Sequence, residues 1–148
     1  MGRQIVTVSH TVHVDRSPQE VFDYTQDYRT RTDWDSTVKS AKVLNDEPRR
    51  VQAVMEGIGP LVIEYKLFRR GERTSAAFGD VRSRLIAGGG GSWTYEARDG
   101  GTDWTETSTL EFRNGLVGLL LAPLIRRNMA TLTRKAMDKA KSIMESAA

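Results

Sequence analysis

Two ionisable side chains fall on otherwise apolar strand faces of this 148-residue chain, and they are its first candidates for chemistry. His10 has the same strand parity as the valines of segment 4–14, and Glu106 has the parity of Trp104 and Leu110 in segment 102–113. Side chains alternate between the two faces of a strand, so both should point inward. A buried carboxylate is costly unless it is paired, and a neighbouring imidazole would ease that cost.

Most of the large aromatic residues have the same inward parity. A Tyr or Trp ring combines an apolar body with a polar tip, which suits either a packed core or the wall of a pocket. Both interpretations stay open from the sequence. The residues whose parity predicts an inward side chain are Met55, Tyr65, Phe78, Trp93, Tyr95, Trp104, Glu106 and Ser108. Trp34 lies between two aspartates in an apparent connection between elements.

Other kinds of site have little support. The chain has no cysteine, which excludes a disulfide framework and thiolate ligands. His10 and His13 have opposite parity, so we expect no metal site, and no motif indicates a cofactor. The glycines at 88–91 are followed by neither Gly-Lys-Ser/Thr nor a helix, and they indicate a flexible strand connection or bulge rather than a phosphate loop.

The elements that must position these residues are seven strands, two short helices and one long helix. Ser17-Pro18-Gln19-Glu20 is a capping box with proline at the first helical position, so a helix should run from there to about Tyr28. A second short helix or turn is expected around Trp34. The strands are predicted at 4–14, 38–44, 50–58, 61–69, 73–81, 92–97 and 102–113.

The C-terminal segment 116–146 predicts the long helix. Apolar residues recur at helical spacing, and Met129, Leu132, Ala136 and Ile143 should pack on the sheet. Pro123 should kink the helix or break it just before that proline, and the helix should run on from residue 124. The net charge is +3, and segment 126–145 carries six basic and two acidic residues. This basic face is either a solvated surface or a patch for an anionic partner.

This order of elements resembles the helix-grip fold of the START and Bet v 1-like superfamily, and within it the bacterial polyketide cyclase/dehydrase-type proteins. The resemblance is carried by segment 15–22, by Asp27-Tyr28 with Trp34, by the Gly-Gly-Thr hairpin at 100–102 and by segment 115–127. It implies a single α+β domain over residues 1–148. In this fold a seven-stranded curved antiparallel sheet wraps around a long C-terminal helix, and two short helices follow strand 1.

The resemblance also implies a cavity between sheet and helix, and it makes the first and last strands neighbours. His10 should then lie opposite Glu106 or Ser108. The pair is a structural contact, a polar anchor for a ligand, or a general acid/base pair. The implied ligand-binding residues are His10, Trp34, Met55, Tyr65, Phe78, Trp93, Tyr95, Trp104, Glu106, Ser108 and Met129.

The family contains lipid carriers, aromatase/cyclases, quinone-binding proteins and a ribosome-associated group, so the fold does not specify the function. The leading hypothesis is the binding of a hydrophobic small molecule such as a lipid, quinone or polyketide-like aromatic. The alternatives are a polyketide aromatase/cyclase or dehydratase, and an interaction module that acts through the basic helix. We expect a cytoplasmic protein that contacts an anionic membrane surface transiently, and we do not expect a nucleic-acid partner.

Overall fold

A computed structural model describes residues 4–147 of the chain. In order, its elements are β1 (Ile5–Val14), α1 (Pro18–Thr25), a 3-10 helix (Arg31–Asp33), β2 (Val38–Asp46), β3 (Arg49–Met55), β4 (Gly59–Arg69), β5 (Arg73–Gly79), β6 (Ile86–Arg98), β7 (Gly101–Phe112) and α2 (Gly115–Ser146).

The seven strands form one antiparallel sheet in the order β1-β7-β6-β5-β4-β3-β2. The first and last strands are therefore neighbours, and their register places His10 directly opposite Glu106. On the inward face of β1, four valines are buried and His10 is partly buried, as the parity of the sequence predicts. The predicted α+β helix-grip fold is confirmed.

Helix α1 begins where the capping box predicts. The Ser17 hydroxyl accepts a hydrogen bond from the Glu20 amide and donates one to the Glu20 carboxylate, both at 3.2 Å. The helix ends at Thr25, earlier than the predicted end near Tyr28, and Gln26 caps it. A single turn of 3-10 helix, Arg31–Asp33, takes the place of the second predicted short helix.

Helix α2 is longer than the prediction from residue 124 onward. It begins at Gly115 because the Asn114 side chain accepts hydrogen bonds from the amides of Leu116 and Val117. The helix continues through Pro123, which lacks the amide proton that would otherwise bond the preceding turn. Within residues 4–147, no helix is long and apolar enough to cross a membrane.

The face of α2 that packs on the sheet differs slightly from the predicted stripe. Ala136 is buried as expected, and Met129 and Leu132 are partly buried, whereas Ile143 is exposed and Met144 is buried instead. The buried residues Thr133, Ala136, Met137, Ala140 and Met144 follow the helical period, but mostly with small or flexible side chains. The predicted stripe is therefore wrong by one residue at this end of the helix, where Met144 rather than Ile143 faces the sheet.

The glycine run is part of β6 rather than a flexible connection. Gly88 pairs with Glu111 after a register shift from Ile86, so the predicted bulge lies at the start of the run. A Cβ atom at Gly89 would stand 2.3 Å from the Thr109 carbonyl oxygen, and one at Gly90 would stand 2.2 Å from that of Ala76. The neighbouring strands approach the glycines too closely for any side chain.

Candidate functional site

A cavity of about 200 Å³ lies between the sheet and α2. Apolar side chains from strands β2 to β7 and from α2 form most of its wall, and a group of buried polar side chains lies at one end. The apolar lining is Val38, Met55, Ile58, Ile63, Ala76, Phe78, Leu85, Ile86, Trp93, Leu110, Ile125, Met129, Leu132 and Ala136. The polar lining includes Tyr28, Arg31, Asp35, Thr37, Glu56, Glu106, Ser108, Thr109, Asn128 and Thr133.

The position of the mouth follows from the lining residues that are exposed. Glu56 and Gly57 lie in the turn between β3 and β4, and Asn128 lies on α2; all three line the cavity and are exposed. Glu106 and Arg31, in contrast, are buried. The cavity is therefore open between the β3–β4 turn and α2, and its polar end is at the closed side.

Glu106 is the central polar residue of that closed end. It lies in the middle of β7, between His10 on β1 and Trp93 on β6. Its side chain is 8% exposed, and its carboxylate accepts a hydrogen bond of 3.5 Å from the Ser108 hydroxyl. Burial is the main reason why the pKa of Glu106 is raised to about 7, and the nearby Asp35 carboxylate adds to the effect. Arg31, Trp93 and Ser108 act in the opposite direction.

Arg31 is a buried cation beside this carboxyl. It is 3% exposed, its Nε donates to Asp35 at 2.9 Å, and its Nη1 donates to the Thr25 carbonyl oxygen at 3.0 Å. Burial by itself lowers the pKa of the guanidinium, but Tyr28, Asp35 and Glu106 outweigh that effect and raise it. Arg31 therefore stays charged, and its charge is neutralised by Asp35 even when Glu106 is protonated.

Aromatic rings fix the position of the Arg31 guanidinium. Its central carbon lies 4.7 Å from the ring centre of Trp34, 5.2 Å from that of Tyr28 and 5.5 Å from that of Trp93. Guanidinium groups bind such rings through cation–π attraction. Arg31 thus presents a charged hydrogen-bond donor to the cavity without freedom to swing away.

His10 contributes less to this site than the sequence suggests. The backbone register places it opposite Glu106, but no hydrogen bond or ion pair joins the two side chains in the described part of the chain. His10 is partly exposed and is not part of the cavity wall. The Glu106 carboxylate is instead hydrogen-bonded by Ser108 on its own strand, and the charges of Arg31 and Asp35 act on its pKa.

Four of the predicted aromatic residues lie in the packed core instead of the wall: Trp34, Tyr65, Tyr95 and Trp104. Trp34 packs edge-on against Trp104, with 5.5 Å between ring centres. The Tyr95 hydroxyl bonds Thr25 and the side-chain amide of Gln26, both at 2.7 Å, and the Tyr65 hydroxyl donates to the Gln26 side-chain oxygen at 3.0 Å. These bonds hold the tyrosine tips against the end of α1.

The remaining predicted residues do line the cavity together. Met55, Phe78 and Trp93 come from three strands, and Met129 comes from α2. With Glu106 and Ser108 they form a wall that is apolar on most sides and polar at one end. Their role in ligand binding stays a prediction.

Sequence reasoning missed Arg31, Asp35 and Tyr28. All three lie between α1 and β2, where no strand or long helix gives a periodic pattern that would show which side chains point inward. One signal was available, because Arg31 and Asp35 have opposite charges four residues apart on either side of Trp34.

The arrangement can hold a hydrogen-bonding group and exchange a proton with it. Arg31 donates hydrogen bonds, and Ser108 donates or accepts them. The Glu106 carboxyl, whose pKa is near neutrality, donates when it is protonated and accepts when it is ionised. Among residues 4–147, no three His, Asp or Glu side chains lie close enough together to hold a metal ion.

Comparison with solved structures shows the same fold in several proteins. TTHA0849 from Thermus thermophilus has a TM-score of 0.78 at 16% identity, with 98% of this chain and 100% of that chain covered. The Zhui aromatase/cyclase from Streptomyces sp. R1128 has a TM-score of 0.76 at 15% identity, with 96% and 94% covered. A START superfamily protein from Mycobacterium smegmatis has 0.74 at 16%, with 98% and 99% covered.

These identities are low enough that the likeness shows the fold alone. No curated protein sequence matches this chain. A family model described as polyketide cyclase / dehydrase and lipid transport matches residues 6–145, which takes in every strand and both α-helices almost completely. The chain therefore belongs to the polyketide cyclase / dehydrase and lipid transport family.

Proposed function

We propose that this protein binds a hydrophobic small molecule that carries one hydrogen-bonding group, such as a lipid, quinone or polyketide-like aromatic. The observation that carries the proposal is the cavity itself, which has an apolar wall and a buried polar end formed by Arg31, Glu106 and Ser108. An apolar ligand body gains from leaving water, and one polar group fixes its orientation. We expect this binding to take place in the cytoplasm.

The shape of the cavity gives the ligand a direction. Its mouth is at Glu56, Gly57 and Asn128, and its polar end is at the closed side, so the polar group of the ligand enters first. A volume of about 200 Å³ lies below the usual range for drug-sized ligands, so the part of the ligand inside is about one or two rings in size.

The test uses 2-naphthol and naphthalene as probes, with binding followed by calorimetry. Wild-type protein should bind both, and 2-naphthol more tightly, because only 2-naphthol can bond the polar end. Ser108→Ala combined with Glu106→Gln should weaken 2-naphthol binding about tenfold and leave naphthalene binding unchanged. Equal affinity for the two probes in wild-type protein would contradict the proposed orientation.

A matched pair of helix variants tests the location. Leu132→Trp places a large ring in the cavity wall, whereas Leu116→Trp adds the same ring to an exposed position of the same helix. The first change should abolish probe binding, and the second should leave it as in wild type. Native mass spectrometry of the purified protein would then identify the class of any ligand that co-purifies.

The raised pKa of Glu106 favours one second candidate, a cyclase or dehydratase. A carboxyl that is part protonated near pH 7 can give a proton to a leaving hydroxyl and take one from an adjacent carbon. The test is the dehydration of an aromatic β-hydroxyketone, followed by the absorbance of the enone. Turnover that Glu106→Gln abolishes without loss of binding would support catalysis. If the wild-type protein shows no turnover, the catalytic candidate is rejected and ligand binding remains the proposed function.

A further inference from the structure

The first half of α2 exposes four leucines to solvent. Leu116, Leu119, Leu120 and Leu124 are 53%, 59%, 71% and 68% exposed. Scattered apolar residues are normal on a protein surface, but four leucines within three turns of one helix form a contiguous patch. We call Leu116, Leu119, Leu120 and Leu124 the leucine patch. Nothing in the fold of residues 4–147 covers it.

The leucine patch continues into a basic surface on the same side of α2. Each residue advances the helix by about 100°, so Leu116, Leu120 and Leu124 lie within about 40° of one direction and Arg127 lies between them. Arg126 and Arg127 are exposed, and neither has an ion-pair partner among residues 4–147. The sequence from 112 to 137 contains no Asp or Glu. The surface is thus apolar in its centre and cationic at its edge.

These charges argue against a second copy of the chain as the occupant. A two-fold interface brings the same surface of two copies together. In a parallel pairing Arg127 would face its own copy, and in an antiparallel pairing it would meet no carboxylate, because residues 112–137 contain none. Like charges placed together in an interface cost binding free energy. An anionic occupant with an apolar layer fits the surface better.

We infer that the leucine patch inserts into the surface of an anionic lipid bilayer while Arg126 and Arg127 contact its headgroups. An amphipathic helix that lies in the plane of a membrane combines these two features. Asn128, at the cavity mouth, follows Leu124 by one helical turn, so the mouth lies close to the patch along α2. This inference does not depend on the cavity holding a ligand.

Vesicle sedimentation tests it with the full chain. Vesicles contain either phosphatidylcholine alone or equal parts of phosphatidylcholine and phosphatidylglycerol. Wild-type protein should sediment with the anionic vesicles only, and less so with added salt. Leu120→Ser with Leu124→Ser should lower the binding constant at least tenfold, roughly what the loss of two partly buried leucines predicts. Arg126→Gln with Arg127→Gln should lower it by about thirtyfold.

Matched variants on the sheet serve as controls. Leu44→Ser removes another exposed leucine, and Arg69→Gln with Arg73→Gln removes two exposed arginines of the β4–β5 hairpin. These variants should bind as wild type does. The inference is overturned if the wild-type protein does not bind anionic vesicles or binds neutral ones equally well. It is also overturned if the variant with Leu120→Ser and Leu124→Ser binds as the wild type does. It is also overturned if sedimentation equilibrium shows a dimer that the leucine variant dissociates. Near-UV circular dichroism checks that each variant is folded.

Discussion

The interior of the protein has two ends that are built from the same strands but packed differently. At the end near α1, Trp34, Tyr65, Tyr95 and Trp104 fill the space against the C-terminal half of α2. At the other end, Met55, Phe78 and Met129 surround a cavity. The tyrosine hydroxyls explain the difference, because their bonds to Thr25 and Gln26 draw the rings toward α1 and away from the cavity. One inward-facing strand can therefore supply core at one end and cavity wall at the other.

Arg31 marks the boundary between the two ends. Its guanidinium stacks on Trp34 at the filled end and also lines the cavity. A buried charge is stable only with partners, and Asp35 and Glu106 supply them. Under the proposed function, stability and ligand recognition would depend on the same side chains at this boundary.

The largest expected effect distinguishes the filled end from the cavity. Trp104→Ala removes a fully buried ring and should lower the free energy of unfolding by about 4 kcal/mol. Met129→Ala removes a partly exposed side chain that already borders a cavity, and should cost about 1 kcal/mol. Chemical denaturation measures both values. Similar losses for the two variants would show that the ends are packed alike.

The next effect concerns the boundary. Arg31→Met keeps the length of the side chain but leaves Asp35 and Glu106 buried without their cation, and should destabilise by about 3 kcal/mol at neutral pH. Arg29→Met is the matched control, because the Arg29 side chain is 89% exposed and its loss should change stability little. Equal losses of stability for the two substitutions would contradict the role of Arg31 as the cation that neutralises the buried carboxyl groups.

A smaller effect depends on pH. Burial raises the pKa of Glu106 to about 7 in the folded state, against 4.5 ordinarily, so the folded protein binds a proton that the unfolded chain releases. The associated stability is complete below the unfolded pKa and is lost as the pH rises through the folded pKa. Relative to Glu106→Gln, wild type should lose on the order of 2 kcal/mol between about pH 5 and pH 8.

Glu96→Gln provides the control for that titration. Glu96 is exposed on β6, so its removal should leave the pH dependence of wild type intact. Denaturation curves at several pH values measure all three proteins. A wild-type profile parallel to that of Glu106→Gln would mean that Glu106 is ionised throughout and that the closed end of the cavity is wetter than its geometry indicates.

The smallest expected effect is on the outside of α2. Leu120→Ser should change the free energy of unfolding by less than about 0.5 kcal/mol, because the side chain is 71% exposed and leaves no cavity. Thermal unfolding without lipid measures it. A loss of several kcal/mol would show that the leucine patch contributes to the stability of the fold. The exposed first half of α2 would then resemble the buried C-terminal half, which packs on the sheet.

Strand periodicity allowed much of the fold and part of the site to be predicted. Parity alone placed Glu106, Trp93 and Met55 on inward faces. The family's strand order predicted that His10 lies opposite Glu106 or Ser108, and the register shows Glu106. The capping box located the start of α1 within one residue. These features are local, since a strand of given parity or a cap of given sequence has few alternatives.

The sequence by itself determined which faces are apolar, where the turns lie and that a long helix must cover the sheet. Only the tertiary structure decided that Arg31 and Asp35 enter the interior, that Tyr65 and Tyr95 bond to the end of α1, and that space remains beneath Met129. The reason is physical. Periodicity reports the direction of a side chain relative to its own backbone, whereas a cavity or a buried ion pair depends on how closely separate elements approach one another.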